Sequence, residues 1–351
     1  MSVRSLLSAF MALSFLLPYP AAGQSSGLLL VVNKGESTLS VVDLAEGREV
    51  GRVPTGYAPH EVAVSPDGRT GVVTDYGTRQ QPGNTLTVVD LTTLEAVATI
   101  DLGEQTRPHG IMWLPGQDRV AVTTEGNGTL TVVDVGARRV VAAVPTGQRV
   151  SHQVALTPDG TRAFVANIGS GSVTAIDLET FSVIRSIPTG QGAEGVAVAP
   201  DGSEVWVSNR AENTVTVLDA RSLEVLATLP SSDFPIRVIF SPDGSRAMVT
   251  NARSAELRVF DVSGREDLMA VPIQAPIMEG RAQVIAFEGS ASPIGLLADP
   301  GGRYVYVAAA SADAVAVVDL EVGAVVRLLP VGKEPDGLAL APPPTLPSPC
   351  P

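Results

Sequence analysis

The sequence predicts an all-β protein, a seven-bladed β-propeller of four-stranded antiparallel blades closed by pairing of its N- and C-terminal strands. Three observations carry that expectation: a repeat of blade length, a strand-and-turn grammar inside each repeat, and two chain ends that complete one another. The aspartates closing the Val-Val-Asp-type strands, Asp43, Asp90, Asp134, Asp177, Asp219, Asp261 and Asp319, are 47, 44, 43, 42, 42 and 58 residues apart. Those intervals match four-stranded propeller blades, the last one carrying an insertion. Short runs of Val, Ile, Ala and Thr lie between Gly, Pro, Asn and Asp clusters, and no stretch after residue 27 shows helical periodicity.

In chain order, the first element is a leader. Arg4 precedes an apolar run from Leu6 to Leu17, followed by Pro18, Pro20 and Ala21-Ala22-Gly23. That order of charged, apolar and small residues is a secretory signal peptide over residues 1–23, too short in its apolar part for a membrane span. A secreted or periplasmic protein is expected, with no membrane insertion after cleavage. The propeller then occupies residues 24–341, beginning inside a repeat with Leu28–Asn33 as a second strand. A full unit reads His152–Thr157, Arg162–Asn167, Ser172–Asp177 and Val183–Pro188. A Pro-Asp-Gly turn joins its first two strands, proline presetting φ and glycine accepting a positive φ. The last repeat element, Asp336–Ala341, is a first strand without a blade of its own, so joining it to Leu28–Asn33 closes the ring and removes two open sheet edges. Residues 342–351 form a proline-rich tail expected to be disordered.

Composition narrows the function. The chain has 351 residues, a net charge of −13 and a single cysteine, Cys350, in the tail. An intramolecular disulfide and a covalently attached haem are therefore excluded. The leader carries Arg4 and no acid, so the mature protein is more acidic still. That charge argues against nucleic acid as a partner, which calls for a basic stripe, and against adhesion to anionic lipid. A monomer is expected.

The endings Val31-Val32-Asn33, Val165-Ala166-Asn167, Val207-Ser208-Asn209 and Val249-Thr250-Asn251, with the Pro-Thr-Gly and Pro-Asp-Gly elements, resemble the YVTN-type β-propeller repeat proteins. The resemblance runs from about Leu28 to Ala341 and implies an exported seven-bladed propeller. The repeats are also similar to those of haem d1-carrying nitrite reductase propellers and of propellers associated with quinone-dependent alcohol oxidation. A noncovalent tetrapyrrole or quinone is thus one possibility, and it implies a coloured protein. A fold does not name a reaction.

One column of the repeat is unusual. Six residues before the proline of each Pro-Asp-Gly turn, or its degenerate counterpart, stand His60, His109, His152, Glu194, Ile236, Ile294 and Asp336. All three histidines of the chain fall there. Equivalent positions ring the channel mouth, so the polar members should be contiguous, with Asp336 beside His60 across the closure. Histidine copied by duplication as a loop-bonding residue is the plain reading. The chemical one is a transition-metal site for Zn, Cu or Fe, with His60, His109 and His152 as ligands and Glu194 as a further ligand or general base; Asp336 is also a candidate ligand. Across the mouth, Arg210, Arg237 and Arg253 could bind a small anionic ligand, or pair with acids such as Glu212 and Glu256. Tyr76 and Arg79 lie on an apparently long loop, Asp75–Asn84, and about sixteen residues are inserted around Gly264–Ser292. The functional expectation is a propeller that binds a ligand or an exported protein partner at its channel mouth. The alternative is a metal-dependent hydrolase, lyase or oxidoreductase with a histidine-rich site there.

Overall fold

The structure is a computed structural model that describes residues 26–278 and 287–342. The leader, Cys350 with nearly all of the tail, and residues 279–281 of the insertion lie outside the described residues.

Seven four-stranded antiparallel sheets form the blades. The first combines the two chain ends: Pro335–Ala341 is its innermost strand, followed outward by Leu28–Asn33, Thr38–Asp43 and Arg48–Pro54. Closure is in register, with Leu28 opposite Ala341, Leu29 opposite Leu340 and Leu30 opposite Ala339. Blades two to seven start at Pro59–Val64, Pro108–Trp113, Ser151–Leu156, Ala193–Val198, Pro235–Phe240 and Pro293–Ala298. These innermost strands pack against one another around the ring. Apart from strands, the described residues contain one short 3₁₀ turn, Ala310–Ala312, and no helix long and apolar enough to cross a membrane.

The second strands explain the stability of the ring. Arg162–Asn167 and Glu204–Asn209 are buried at every position but the first, because neighbouring blades cover both faces. The outer strand Arg48–Pro54 instead alternates between exposed and covered residues. Between blades four and five, Phe164, Val173, Val196, Val205 and Leu218 share one core cluster. Trp206 packs edge-on against Phe240 across the next interface, their ring centroids 5.9 Å apart. Each such fully buried side chain stabilises the fold by about 1.5–3 kcal/mol relative to exposure.

The Pro-Asp-Gly turns sit at the end of the blade away from the histidines. Asp159 Oδ1 accepts from the Thr157 hydroxyl at 2.6 Å and the Thr161 amide at 3.0 Å. Gly68 has a φ of +71°, and a Cβ there would lie 2.3 Å from the ring of Pro342, so glycine is required for both reasons.

Two expectations about loops change. The segment 75–84 is largely strand: Thr70–Gly77 and Pro82–Asp90 continue pairing through Gly77 and Pro82, leaving a turn of only residues 78–81. The long connection of the last interval contains an ordinary fourth strand, Glu266–Pro272, so the extra residues fall between it and Pro293.

Candidate functional site

Each blade presents its mouth residue by the same backbone device. The residue two positions earlier is left-handed: Ala58, Arg107, Val150, Phe234, Ser292 and Glu334 all have φ between 46° and 64°, and Gly192 has 74°. Such backbone is strained for a non-glycine residue and concentrates at functional sites. A bulge follows directly; pairing skips from Pro59 to Val62, from Pro108 to Ile111 and from Ser151 to Gln153. Bulges re-aim side chains, here toward the channel. A hydroxyl of the preceding blade then fixes the bulged carbonyl: Thr74 donates to His109 O at 3.0 Å and Thr123 to His152 O at 2.6 Å.

The result is one cavity of about 760 Å³ that brings together every polar residue of the column, His60, His109, His152, Glu194 and Asp336, together with Ile236 and Ile294. The histidines touch. His60 and His109 have ring centroids 4.6 Å apart, and His109 and His152 3.7 Å. Tyr76 stacks on His60 at 4.3 Å.

Hydrogen bonds give each imidazole a different state. His60 donates from Nδ1 to Ala58 O at 3.0 Å. Burial pushes its pKa down to about 4, so it is neutral and presents Nε2 as a lone pair. Burial, with its two histidine neighbours, also holds His109 well below the ordinary value. Its Nδ1 is buried without a partner, which is costly unless a ligand meets it. His152 is the exception. Burial opposes its charge, but Glu125 at 2.5 Å from Nδ1 and Glu194 at 3.5 Å from Nε2 outweigh burial and raise it to about 9.

Glu125 is the residue that sequence reasoning missed. Its two oxygens hold His152 and the Tyr76 hydroxyl, the latter at 2.5 Å, and Arg107 donates to the same hydroxyl at 3.1 Å. Burial pushes the Glu125 carboxyl up, but the hydrogen bond and charge of His152 prevail and hold it below its usual range. Ligand atoms of His109, Glu125 and His152 lie within 4.8 Å of one another. Zinc bonds of about 2.0–2.1 Å require donors roughly 3.4 Å apart, so closing the set takes side-chain shifts and the loss of the proton that His152 holds against Glu125 in the metal-free protein. A repeat signal for Glu125 was present: the position after the second-strand Asn or its equivalent in each blade reads Lys34, Tyr76, Glu125, Ile168, Arg210, Ala252 and Ala310, a second column in which Tyr76 and Arg210 were the residues singled out.

The three arginines separate. Arg210 lines the cavity but donates to Glu194 at 2.6 Å. Arg237 bonds Glu61 from the far side of the ring and lies 3.9 Å from Asp336. Gln153 adds a 2.8 Å bond to Glu61, so these side chains form a polar floor across the channel below the histidines. Arg253 is not among the residues lining the cavity; it lies over the rings of Phe234 and Phe287 at 5.2 and 4.8 Å. The acids considered as partners serve elsewhere: Glu212 accepts from the Gln191 amide at 3.0 Å, and Glu256 lies 3.5 Å from Arg258. Lys34 lies 3.5 Å from Asp336. Asp336 stays below its usual range because Lys34, His60 and Arg237 together outweigh the opposing effect of burial.

The family model described as Cytochrome D1 heme domain matches residues 114–346. That span includes Glu125, His152, Glu194 and Arg210 but leaves out His60, Tyr76, Arg107 and His109. No curated protein matches the chain. Among solved structures, a functionally unknown protein from Desulfotomaculum acetoxidans superposes with a TM-score of 0.74 at 16% identity, over 91% of this chain and all of that one (100%). The periplasmic gluconolactonase of Pseudomonas aeruginosa gives 0.71 at 20% identity, over 90% of this chain and 99% of the other. Kuenenia stuttgartiensis hydrazine synthase gives 0.68 at 19% identity, over 81% and 90%. At these identities the likenesses establish the propeller fold alone.

Proposed function

The chain belongs to the cytochrome D1 heme domain family, and from that premise we propose that it is an exported, periplasmic propeller whose channel mouth holds a divalent transition-metal ion and acts on a small anionic ligand. The observation that carries this reading is the convergence of His109, Glu125 and His152, with a buried His109 Nδ1 that no described residue satisfies. Two histidines and a glutamate with a further position open is a donor set of catalytic zinc sites. A metal there supplies Lewis acidity to a ligand oxygen. The chain's own residues do the rest. Tyr76 keeps its proton, because burial and the Glu125 charge raise its pKa, and so orients Glu125. Glu194, held by Arg210, is the base candidate beside His152. Hydrolase or lyase chemistry suits this set; ligand binding without turnover is the coarser form of the same reading.

The family name points to a haem, but the donor set here suits a bare ion better. His109 and Glu125 from blade three and His152 from blade four converge on one point, whereas a haem would need only one histidine.

Elemental analysis of the full mature protein tests the proposal. Close to one equivalent of Zn, Cu or Fe per chain is expected, and none in a folded His109→Ala/His152→Ala variant. Absence of metal from the native protein, even after supplementation with all three, sinks the metal site. The leader arrangement at residues 1–23 supports export, and the N-terminal sequence of the periplasmic fraction checks it.

A further inference from the structure

The cavity has two unlike walls, and together they specify the shape of its ligand. One wall is the metal-ligand cluster with Tyr76, Arg79 and Arg107; the other is Phe234, Ile236, Phe287 and Ile294, all lining the same space. Ile236 and Ile294 form a buried cluster with Ala252 and Ala310, onto which Phe234 and Phe287 pack. One side of the same cavity is therefore apolar and the other charged.

On the polar wall, the described residues give Lys34, Arg210 and Arg237 a carboxylate each. Arg107 differs. Its guanidinium is anchored by the Tyr76 hydroxyl at 3.1 Å and by Thr78 O at 3.3 Å, and it lies 5.2 Å over the Tyr76 ring. None of these contacts is a carboxylate, so among the described residues its charge and its other N–H groups are unspent. It is also placed deliberately. Arg107 is the one cation among the seven left-handed residues that precede the column. A single hydroxyl, that of Tyr76, separates it from Glu125.

We propose that the ligand of this site is a small amphipathic carboxylate, its acid group on Arg107 beside the metal ligands and its apolar or aromatic body against Phe234, Ile236, Phe287 and Ile294. The inference rests on the metal-site reading for the position of the reacting end, but the two walls recognise the molecule independently of that ion. A guanidinium fork matches a carboxylate, and a cavity of about 760 Å³ lies within the range of small-molecule sites. Arg107 is a specificity residue here, while Arg210 and Arg237 organise the protein's own acids.

Calorimetric titration with acetate, phenylacetate and uncharged phenylacetamide reads both walls, using the full mature protein with and without saturating zinc. Phenylacetate is expected to bind at least tenfold more tightly than either acetate or phenylacetamide. Arg107→Gln should lower phenylacetate affinity at least tenfold. Ile236→Thr and Phe287→Ser should lower the phenylacetate-to-acetate ratio severalfold while leaving acetate unchanged. Equal affinity for phenylacetate and acetate, or an Arg107→Gln protein that binds phenylacetate like wild type, overturns the proposal even where zinc is bound. If the protein takes up none of Zn, Cu and Fe, the metal reading fails alone; the same comparisons in metal-free protein then decide the carboxylate proposal, a flat response to Arg107→Gln overturning it.

Discussion

Blades two to four and blades six to seven meet the channel with the same backbone and opposite chemistry. Both halves use a left-handed residue and a bulge. Both fix the bulged carbonyl with a hydroxyl of the preceding blade, Thr123 to His152 O on one side, and Ser208 to Ile236 O at 2.7 Å or Thr250 to Ile294 O at 3.0 Å on the other. Yet one half carries His60, His109, His152, Tyr76 and Glu125, and the other Ile236, Ile294, Ala252 and Ala310. The repeat supplies seven addresses; side-chain choice at those addresses makes the site one-sided, and a one-sided site can orient a ligand.

The most forceful way to break the comparison is to give the polar half the apolar residue. His152→Ile puts the side chain of blade six into blade four. Glu125 and Glu194, buried beside it, lose their shared cation, and removing one member of a buried charged pair costs about 3–5 kcal/mol. Tyr76 and Arg210 still bond the two acids, so a loss near 3 kcal/mol is expected in urea unfolding of the metal-free protein. An unchanged midpoint would mean that His152 is not charged in the folded state.

A second test compares blades within the polar region. The residue paired with the start of the innermost strand is Asn in blades one, four, five and six but Asp75 in blade two. Asn209 donates to Thr214 and Thr216 at 3.1 and 2.9 Å; Asp75 instead accepts from Thr85 and Thr87 at 2.8 and 3.0 Å and from the Gly56 amide at 2.9 Å. Burial raises the pKa of Asp75 to about 6, the hydrogen bonds opposing it. Because the folded protein then holds a proton the unfolded chain has released, the contribution is full below about pH 4 and fades as pH rises through 6. That window spans about 3 kcal/mol. Asp75→Asn should remove this part of the pH dependence and stabilise the protein at pH 8, as followed by thermal unfolding across pH 4–8. An identical pH profile in the variant would count against a charged, buried Asp75.

Most of this architecture was legible in the chain. The Val-Val-Asp spacing located the blades, and the unpaired end strands Leu28–Asn33 and Asp336–Ala341 located the closure, because both depend on local pattern and repeat arithmetic. The histidine column was legible for the same reason. The pairing of Arg237 with Glu61 was not, since the two are 176 residues apart and meet across the channel. Arg107 hid for a different reason: its neighbours Pro108 and His109 announce the strand, while its own role depends on a hydroxyl of the preceding blade. A repeat reveals which positions share a height on the ring, and it is silent about which of them touch across it.

The finest probe leaves both chemistries in place and cuts only the shared hydroxyl. Thr123 accepts from the Gly110 amide at 2.8 Å and donates to His152 O; Ser208 accepts from the Gly195 amide at 2.9 Å and donates to Ile236 O. Removing either hydroxyl leaves a buried amide and a carbonyl without that partner, so Thr123→Ala and Ser208→Ala should each cost about 1 kcal/mol of stability. The functional consequences should diverge. Thr123 fixes the backbone that aims a proposed metal ligand, and losing an outer support of this kind weakens metal binding by about 10-fold or more. Ser208 fixes a residue of the apolar wall and should leave zinc affinity unchanged. Paired unfolding and zinc titrations on the two variants therefore separate scaffold from site: equal stability losses with unequal zinc affinities support the division, and equal changes in both would mean that the two halves of the mouth are mechanically one.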